Sequence, residues 1–230
     1  MHEQAPPGAG SPPVVRATAQ QLVDRAALMA RPGTRRILGI TGAPGAGKST
    51  LCGALLDALG DRAALVGMDG FHYANAELAR LGRADRKGAP DTFDVDGYVA
   101  LLGRLRTPPP VPVYAPLFDR ALEESIGSAV RVGPETPLVL TEGNYLLLED
   151  HGWSAVRTRL DEVWYLDVPT DVRERRLVRR RRSYGHAPEA AEEWVRSVDG
   201  RNGRTVEASR AHADLVVHLD VPEAGDGIPA

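Results

Sequence analysis

Gly42-Ala43-Pro44-Gly45-Ala46-Gly47-Lys48-Ser49 sets glycines, a lysine and a serine at the spacing G-x-x-x-x-G-K-S, the arrangement of a loop that cradles phosphate. Gly42, Gly45 and Gly47 let the backbone turn tightly and aim successive N–H groups into one concave nest. Lys48 carries a compact ammonium suited to the β- and γ-phosphates of ATP, and the Ser49 hydroxyl suits Mg²⁺. A helix starting near Gly47 directs its positive dipole end at the same anion. Gly42, Ala43, Pro44, Gly45, Ala46, Gly47, Lys48, Ser49 and Thr50 are therefore the expected ATP-binding residues. The plain alternative is a Gly-rich turn with a chance Lys-Ser.

Three further stretches could add chemistry. Asp69-Gly70-Phe71-His72-Tyr73 follows the apolar residues 63–68, and an acid at the carboxyl end of a strand lies where α/β sheets bind ligands. Asp69 could accept the proton of an attacking hydroxyl, or Asp-Gly could be an ordinary turn. Glu142 closes the apolar run 137–141 and could hold Mg²⁺ through water; a buried structural glutamate is the alternative, costly if unpaired. Residues 171–182 are arginine-rich and helical by spacing, with Thr170 as expected N-cap and Gly185 past the end. Arg176 and Arg180, at i and i+4, share a face and could neutralise charge developing in phosphoryl transfer, as part of a lid over about residues 171–187. A solvated basic face or a nucleic-acid patch competes with that reading. No stacking aromatics are interleaved and the formal net charge is −3, which argues against nucleic acid.

Lysine is scarce. Of 28 basic residues only Lys48 and Lys87 are lysine, so both sit where an arginine fork is a poor substitute or where chance left them. Lys87 is a candidate for contact with substrate or phosphate, with a solvated loop lysine as the alternative.

These groups need a scaffold. Apolar spacing over residues 15–30 predicts an amphipathic helix ended by Pro32-Gly33. Residues 35–41 read as the first strand, the helix after the loop runs to Leu59, and residues 63–68 form a second strand. Asp94 can start a helix carrying Val99, Leu101, Leu102 and Leu105, which Pro108-Pro109-Pro110 ends. A short edge strand over 111–114 comes next, where prolines do no harm. The nearly all-apolar run 137–141 predicts a central parallel strand buried on both faces. Residues 153–160 read as a helix, 163–168 as a strand, and 190–198 as part of a long helix. A turn at 199–203 and a last strand over 213–219 complete the chain. Residues 1–12 and 222–230 read as disordered tails around a single domain over 13–221.

Taken together, the loop, the Asp69-Gly70-Phe71 stretch and several later segments resemble the phosphoribulokinase, uridine kinase and pantothenate kinase group. Lys87-Gly88-Ala89-Pro90-Asp91-Thr92-Phe93-Asp94 is similar to a segment of its pantothenate-kinase-like members, and Pro112-Val113-Tyr114 to the element beside their acceptor pocket. Leu138 to Gly143 resembles the strand ending in Glu-Gly that supports the metal, and the 171–182 helix resembles the start of the family lid. The resemblance implies a three-layer α/β P-loop fold with a parallel central sheet and a small arginine-rich lid. It implies transfer of the ATP γ-phosphate to a hydroxyl of a small molecule: a nucleoside first, with pantothenate or a fructose-type sugar as alternatives. Asp69, His72, Lys87, Tyr114, Asp119 and Arg120 then become the expected acceptor-side residues, although Asp119-Arg120 could be a surface ion pair. The residues just after Tyr114 depart from nucleoside- and pantothenate-specific relatives. The segment 199–202 resembles one near the nucleotide, against a plain turn.

Composition bounds the rest. A chain of 230 residues with 43% hydrophobic content suits one ordinary globular domain. No apolar run approaches a membrane span, and the first dozen residues carry no secretory pattern. The single cysteine, Cys52, excludes an internal disulfide and fits a reducing, cytoplasmic setting. A homodimer is compatible with the sequence. A P-loop ATPase without a small-molecule acceptor is the reading from another class. Asn-Lys-x-Asp and Ser-Gly-Gly are both missing, which argues against GTPase and ABC-type chemistry.

Overall fold

In the computed structural model, which describes residues 11–107 and 110–220, alternation of side chains along buried strands sets up the layers. β2 (Arg36–Thr41), β6 (Leu138–Glu142), β7 (Glu162–Leu166) and β8 (Leu215–Leu219) are almost wholly apolar, as strands covered on both faces must be. With β1 (Val14–Ala17) and β3 (Ala63–Leu65) they form one six-stranded sheet in the order β1-β8-β7-β2-β6-β3, parallel at every pairing. Leu38, Ile40, Leu140, Trp164 and Val217 point to one face and Ile37, Val139, Val163, Tyr165 and Val216 to the other. α1 (Ala19–Met29) and α2 (Lys48–Leu59) cover the first face through Leu22, Ala26, Cys52 and Leu55. α4 (Val95–Arg106) and α8 (Gly200–Ala208) cover the second through Tyr98, Leu102 and Val206. Each such leucine, fully buried, contributes roughly 1.5–3 kcal/mol. The result is an α/β fold of three layers.

Several elements differ from expectation. Val14–Ala17 is not helix but strand, pairing with β8 from Val14↔Val216 to Ala17↔Leu219. The helix begins after Thr18, whose hydroxyl and the Gln21 side chain form a reciprocal capping box. β3 stops at Leu65, and Met68–Phe71 is a tight 3₁₀ turn. The short edge strand becomes β4 (Val113–Asp119), paired antiparallel with an unforeseen β5 (Glu124–Val132) in a separate two-stranded hairpin. Only Ser154–Arg157 of the 153–160 segment is helical, as α5. Thr170 is not the N-cap of α6 (Thr170–Ser183): Pro169 is, and the Thr170 hydroxyl accepts from Arg173 instead. The expected turn at 199–203 is helical, because a π turn over Val195–Asp199 joins α7 (Pro188–Trp194) to α8. Two expectations fall outside the described residues: Pro108-Pro109 of the helix stop, and both tails except residues 11 and 12. The remaining helix, α3 (Asn75–Arg80), lies between the 3₁₀ turn and α4.

Candidate active site

The loop between β2 and α2 sits at the carboxyl ends of the parallel strands, where such sheets place ligands. Gly47 is the N-cap of α2 in the left-handed region, so the first helical amides face the loop's concavity. Gly45 shows why the loop needs glycine. It holds φ +82°, and a Cβ there would lie 2.8 Å from the Arg173 carbonyl oxygen of α6.

Lys48 is turned inward. Its Nζ donates to Gly42 O at 2.8 Å, Ala43 O at 3.3 Å and Asn144 Oδ1 at 2.7 Å. Burial pulls its pKa down to about 8, opposed by the carboxylates of Glu142 and Asp69, while the Arg180 charge adds to the lowering. Ser49 Oγ faces Glu142, 3.1 and 3.0 Å from its two oxygens. Burial raises the Glu142 pKa, and the nearby charge of Lys48 and the Ser49 hydrogen bond oppose the rise. Asn144 had not been singled out. Its signal was position, two residues beyond an acid that ends a central strand.

The arginine helix divides by face. Arg176 Nη1 donates to Gly45 O at 3.4 Å, and Arg180 acts on Lys48 through charge. Arg173 is buried at 5% exposure. It donates to Val168 O at 3.0 Å, Thr170 Oγ1 at 2.9 Å, Pro44 O at 3.5 Å and the Glu207 carboxylate, bracing α6 against the back of the loop. Arg175, Arg179 and Arg182 line an outer groove together with Asp171, Glu174 and Glu192, a mixed-charge face of the solvated kind. Arg181 stacks over Trp194 at 4.4 Å and lies 3.8 Å from Asp199. The two inner arginines should separate on substitution. Arg173→Ala is expected to cost about 2–3 kcal/mol, because a buried guanidinium that ties Val168, Thr170, Pro44 and Glu207 together is lost. Arg176→Ala should leave melting nearly unchanged and lower kcat; thermal melts beside turnover measure both.

On the acceptor side, Asp69 projects from the 3₁₀ turn, half-buried, and its Oδ2 accepts from Arg120 Nη2 at 3.0 Å. Arg120 therefore pairs with Asp69 and not with its neighbour Asp119. Asp119 Oδ1 is spent on the amides of Ala121 and Leu122 at 2.8 and 3.0 Å, holding the hairpin turn. His72 Nδ1 lies 2.8 Å from the Asp69 carbonyl, its ring 4.1 Å from Phe93 and 4.8 Å from Phe118; burial lowers its pKa, so it is neutral near pH 7. Lys87 Nζ donates to Asn75 Oδ1 at 2.7 Å and to Glu123 O, and its segment is tied down by the Tyr145 hydroxyl on Gly88 O at 2.6 Å. Tyr114 is exposed on β4 opposite Arg131, and no hydrogen bond among the described residues joins it to Asp69, Lys87 or Arg120.

Gly70 lets the hairpin reach this turn. A Cβ there would fall 2.6 Å from the Pro116 carbonyl oxygen, a backbone atom that cannot rotate away. Gly70→Ala is expected to destabilise by about 1–3 kcal/mol, read by chemical denaturation, and to displace β4 from Asp69.

Comparison with known proteins supports the P-loop kinase-like fold. A family model, that of the methylmalonyl-CoA mutase-associated GTPase MeaB, matches residues 10–71, the part holding β2, the loop and Asp69. The ATP-dependent kinase-like protein notR′ of Aspergillus versicolor is 34% identical over 152 residues, 62% of this chain and 88% of that one. A candidate uridine kinase of Schizosaccharomyces pombe is 34% identical over 119 residues, half of this chain and 51% of that protein. The crystal structure of a candidate fructose transport system kinase from Silicibacter sp. TM1040 superimposes with a TM-score of 0.79 at 39% identity, covering 87% of this chain and 98% of the other. No described helix is long and apolar enough to cross a membrane.

Proposed function

The chain belongs to the P-loop kinase-like family of notR′ and the Silicibacter protein, and on that premise we propose that it transfers the γ-phosphate of ATP to a hydroxyl of a small molecule. The observation that carries the reading is the facing of two sides: Lys48 and the loop amides on one, the Asp69 carboxylate on the other, close enough that the Asp69 charge acts on Lys48. Asp69 takes the proton of the acceptor hydroxyl as its oxygen bonds to the γ-phosphorus and the bond to the β–γ bridging oxygen breaks, leaving ADP. Lys48, Arg176 and Arg180 bear on the phosphate charge that develops, and the α2 amides fix the phosphates in place.

The Ser49 hydroxyl and Glu142 carboxylate fit Mg²⁺: both are hard oxygen donors, 3.0–3.1 Å apart, and among the described residues no cluster of three or more metal-binding side chains competes for that role. Such a sparse protein donor set is what Mg²⁺ takes when phosphates and waters supply the rest. When bound, Mg²⁺ would neutralise phosphate charge.

One relative's name carries uridine and another's a fructose transport system, so a nucleoside and a sugar both belong in the first screen. The test is ADP formation from Mg·ATP with and without each alcohol. Formation that depends on one alcohol supports the kinase reading. The other class, nucleotide hydrolysis without an acceptor, shares the loop and has the MeaB match on its side; ADP formation indifferent to every alcohol would favour it.

A further inference from the structure

Around Asp69, two cations have one ion-pair partner between them among the described residues. Lys87 Nζ lies 5.1 Å and Arg120 Cζ 5.8 Å from the same Phe118 ring centroid, and Phe118 packs on His72, which is bonded to the Asp69 carbonyl. One aromatic ring thus gathers two cations at the rim of the acceptor side. Lys87's hydrogen-bond partners are an amide oxygen and a backbone carbonyl, and among the described residues it makes no ion pair with a carboxylate. Arg120 has one carboxylate, Asp69. That is the group the proposed transfer needs as a free base.

The neighbouring acids are engaged elsewhere. Asp91 is held by Arg86 and Arg83, Asp119 by the hairpin amides, Glu124 by the Asn75 amide, and Glu142 by the Ser49 hydroxyl beside the Lys48 charge. Within ion-pair distance the two cations therefore have one carboxylate between them, and that pair engages Oδ2, one of the two Asp69 oxygens that could accept a proton.

We infer that the acceptor carries an anionic group, a carboxylate or a phosphate, which binds Arg120 and Lys87 and in doing so draws Arg120 off Asp69. This rests on the kinase reading for the role of Asp69. The guanidinium suits bidentate contact with either anion, and Lys87 adds a point charge. Arg120 is 53% exposed and Lys87 half-buried, so the rim is open to a ligand from solvent. A neutral alcohol leaves the Arg120–Asp69 pair in place and meets a carboxylate whose Oδ2 is already engaged by a cation. An anionic one exchanges one carboxylate partner of Arg120 for another and leaves Asp69 free beside the hydroxyl. The recognition element and the unmasking of the base are then the same contact.

Matched acceptors test this: glycerate against glycerol for a carboxylate, and a hexose 6-phosphate against the free hexose for a phosphate, with uridine as a further neutral alcohol. Turnover is measured with Mg·ATP, and binding by calorimetry with a non-hydrolysable ATP analogue present. In at least one pair the anionic member should exceed its neutral partner by about 10-fold or more in kcat/KM, as a charged hydrogen bond allows. In Arg120→Gln and in Lys87→Gln that preference should fall below about 3-fold, on the same scale of charged contacts. The winning pair says which anion is read. Neutral members equal or better in both pairs, a preference that survives both substitutions, or no anionic member bound at about 10 mM, weaker than a millimolar contact, would overturn the inference. The two readings fail separately: transfer to neutral alcohols without preference sinks this inference and spares the kinase, whereas anions that bind through Arg120 but never receive phosphate sink the kinase and spare the anion site.

Discussion

Lys48→Ala is expected to lose phosphoryl transfer by about 10²–10³-fold, the scale of removing one preorganised donor to developing charge, while far-UV circular dichroism and melting stay close to the parent. The side chain's partners among the described residues are all polar. Its three acceptors are two loop carbonyls and Asn144, and its low pKa of about 8 shows that burial disfavours the charge there. Lys48→Arg should fail as well, since a planar fork cannot occupy the position of a compact ammonium between Gly42, Ala43 and Asn144. ATP turnover near the parental rate in Lys48→Ala would sink the phosphate-loop assignment.

Asp69→Asn should lower acceptor phosphorylation by about 10²–10⁴-fold, the range for a lost general base, with affinity for Mg·ATP little changed. Asparagine keeps the size of the side chain and an oxygen for Arg120, and loses the ability to take a proton. Slow hydrolysis to water should fall much less than transfer, because Lys48, the loop amides and the arginines remain. The ratio of phosphorylated acceptor to free phosphate is the readout. An unchanged ratio with both rates normal would make Asp69 a turn residue and nothing more.

How much the sequence disclosed depends on how local each signal is. The phosphate loop is eight consecutive residues between a strand and a helix, so pattern and position coincide. Asp69 and Glu142 stood out because each ends an apolar run; β6 carries Glu142 to the loop, and the 3₁₀ turn after β3 presents Asp69. β1 was missed because Val15 and Ala19 also fit a helical period, and only pairing with β8, some 200 residues away in sequence (Val14↔Val216), makes 14–17 a strand. β5 was missed because its residues are mostly exposed and include Gly127, Ser125 and Ser128, so alternation is faint. The 199–203 segment read as a turn from Asp-Gly and Asn-Gly pairs. Packing of Val195 and Val206 into the core overrides that preference. Pairing at distance was the least legible of all: Arg120 with Asp69, Arg173 with Pro44 and Glu207, and Lys48 with Asn144 each join residues dozens of positions apart.

The arginine helix makes the same point in reverse. Composition alone treats its arginines as equivalent, and the structure sorts them into one that braces the loop from behind, one that touches it, and several that face outward among acids. In the proposed transfer Arg176, which touches the loop, and Arg180, whose charge reaches Lys48, are the two that bear on the phosphates.

The central claim is that the γ-phosphate leaves ATP for an alcohol, and the destination of that phosphate tests it most directly. With γ-labelled ATP, saturating Mg²⁺ and each acceptor in turn, the label is partitioned between organic phosphate and inorganic phosphate as ADP accumulates. The account predicts that with one acceptor the label appears in the organic fraction in step with ADP, and that Asp69→Asn abolishes that fraction first. Label recovered only as inorganic phosphate with every acceptor, at a rate no alcohol alters, would contradict it.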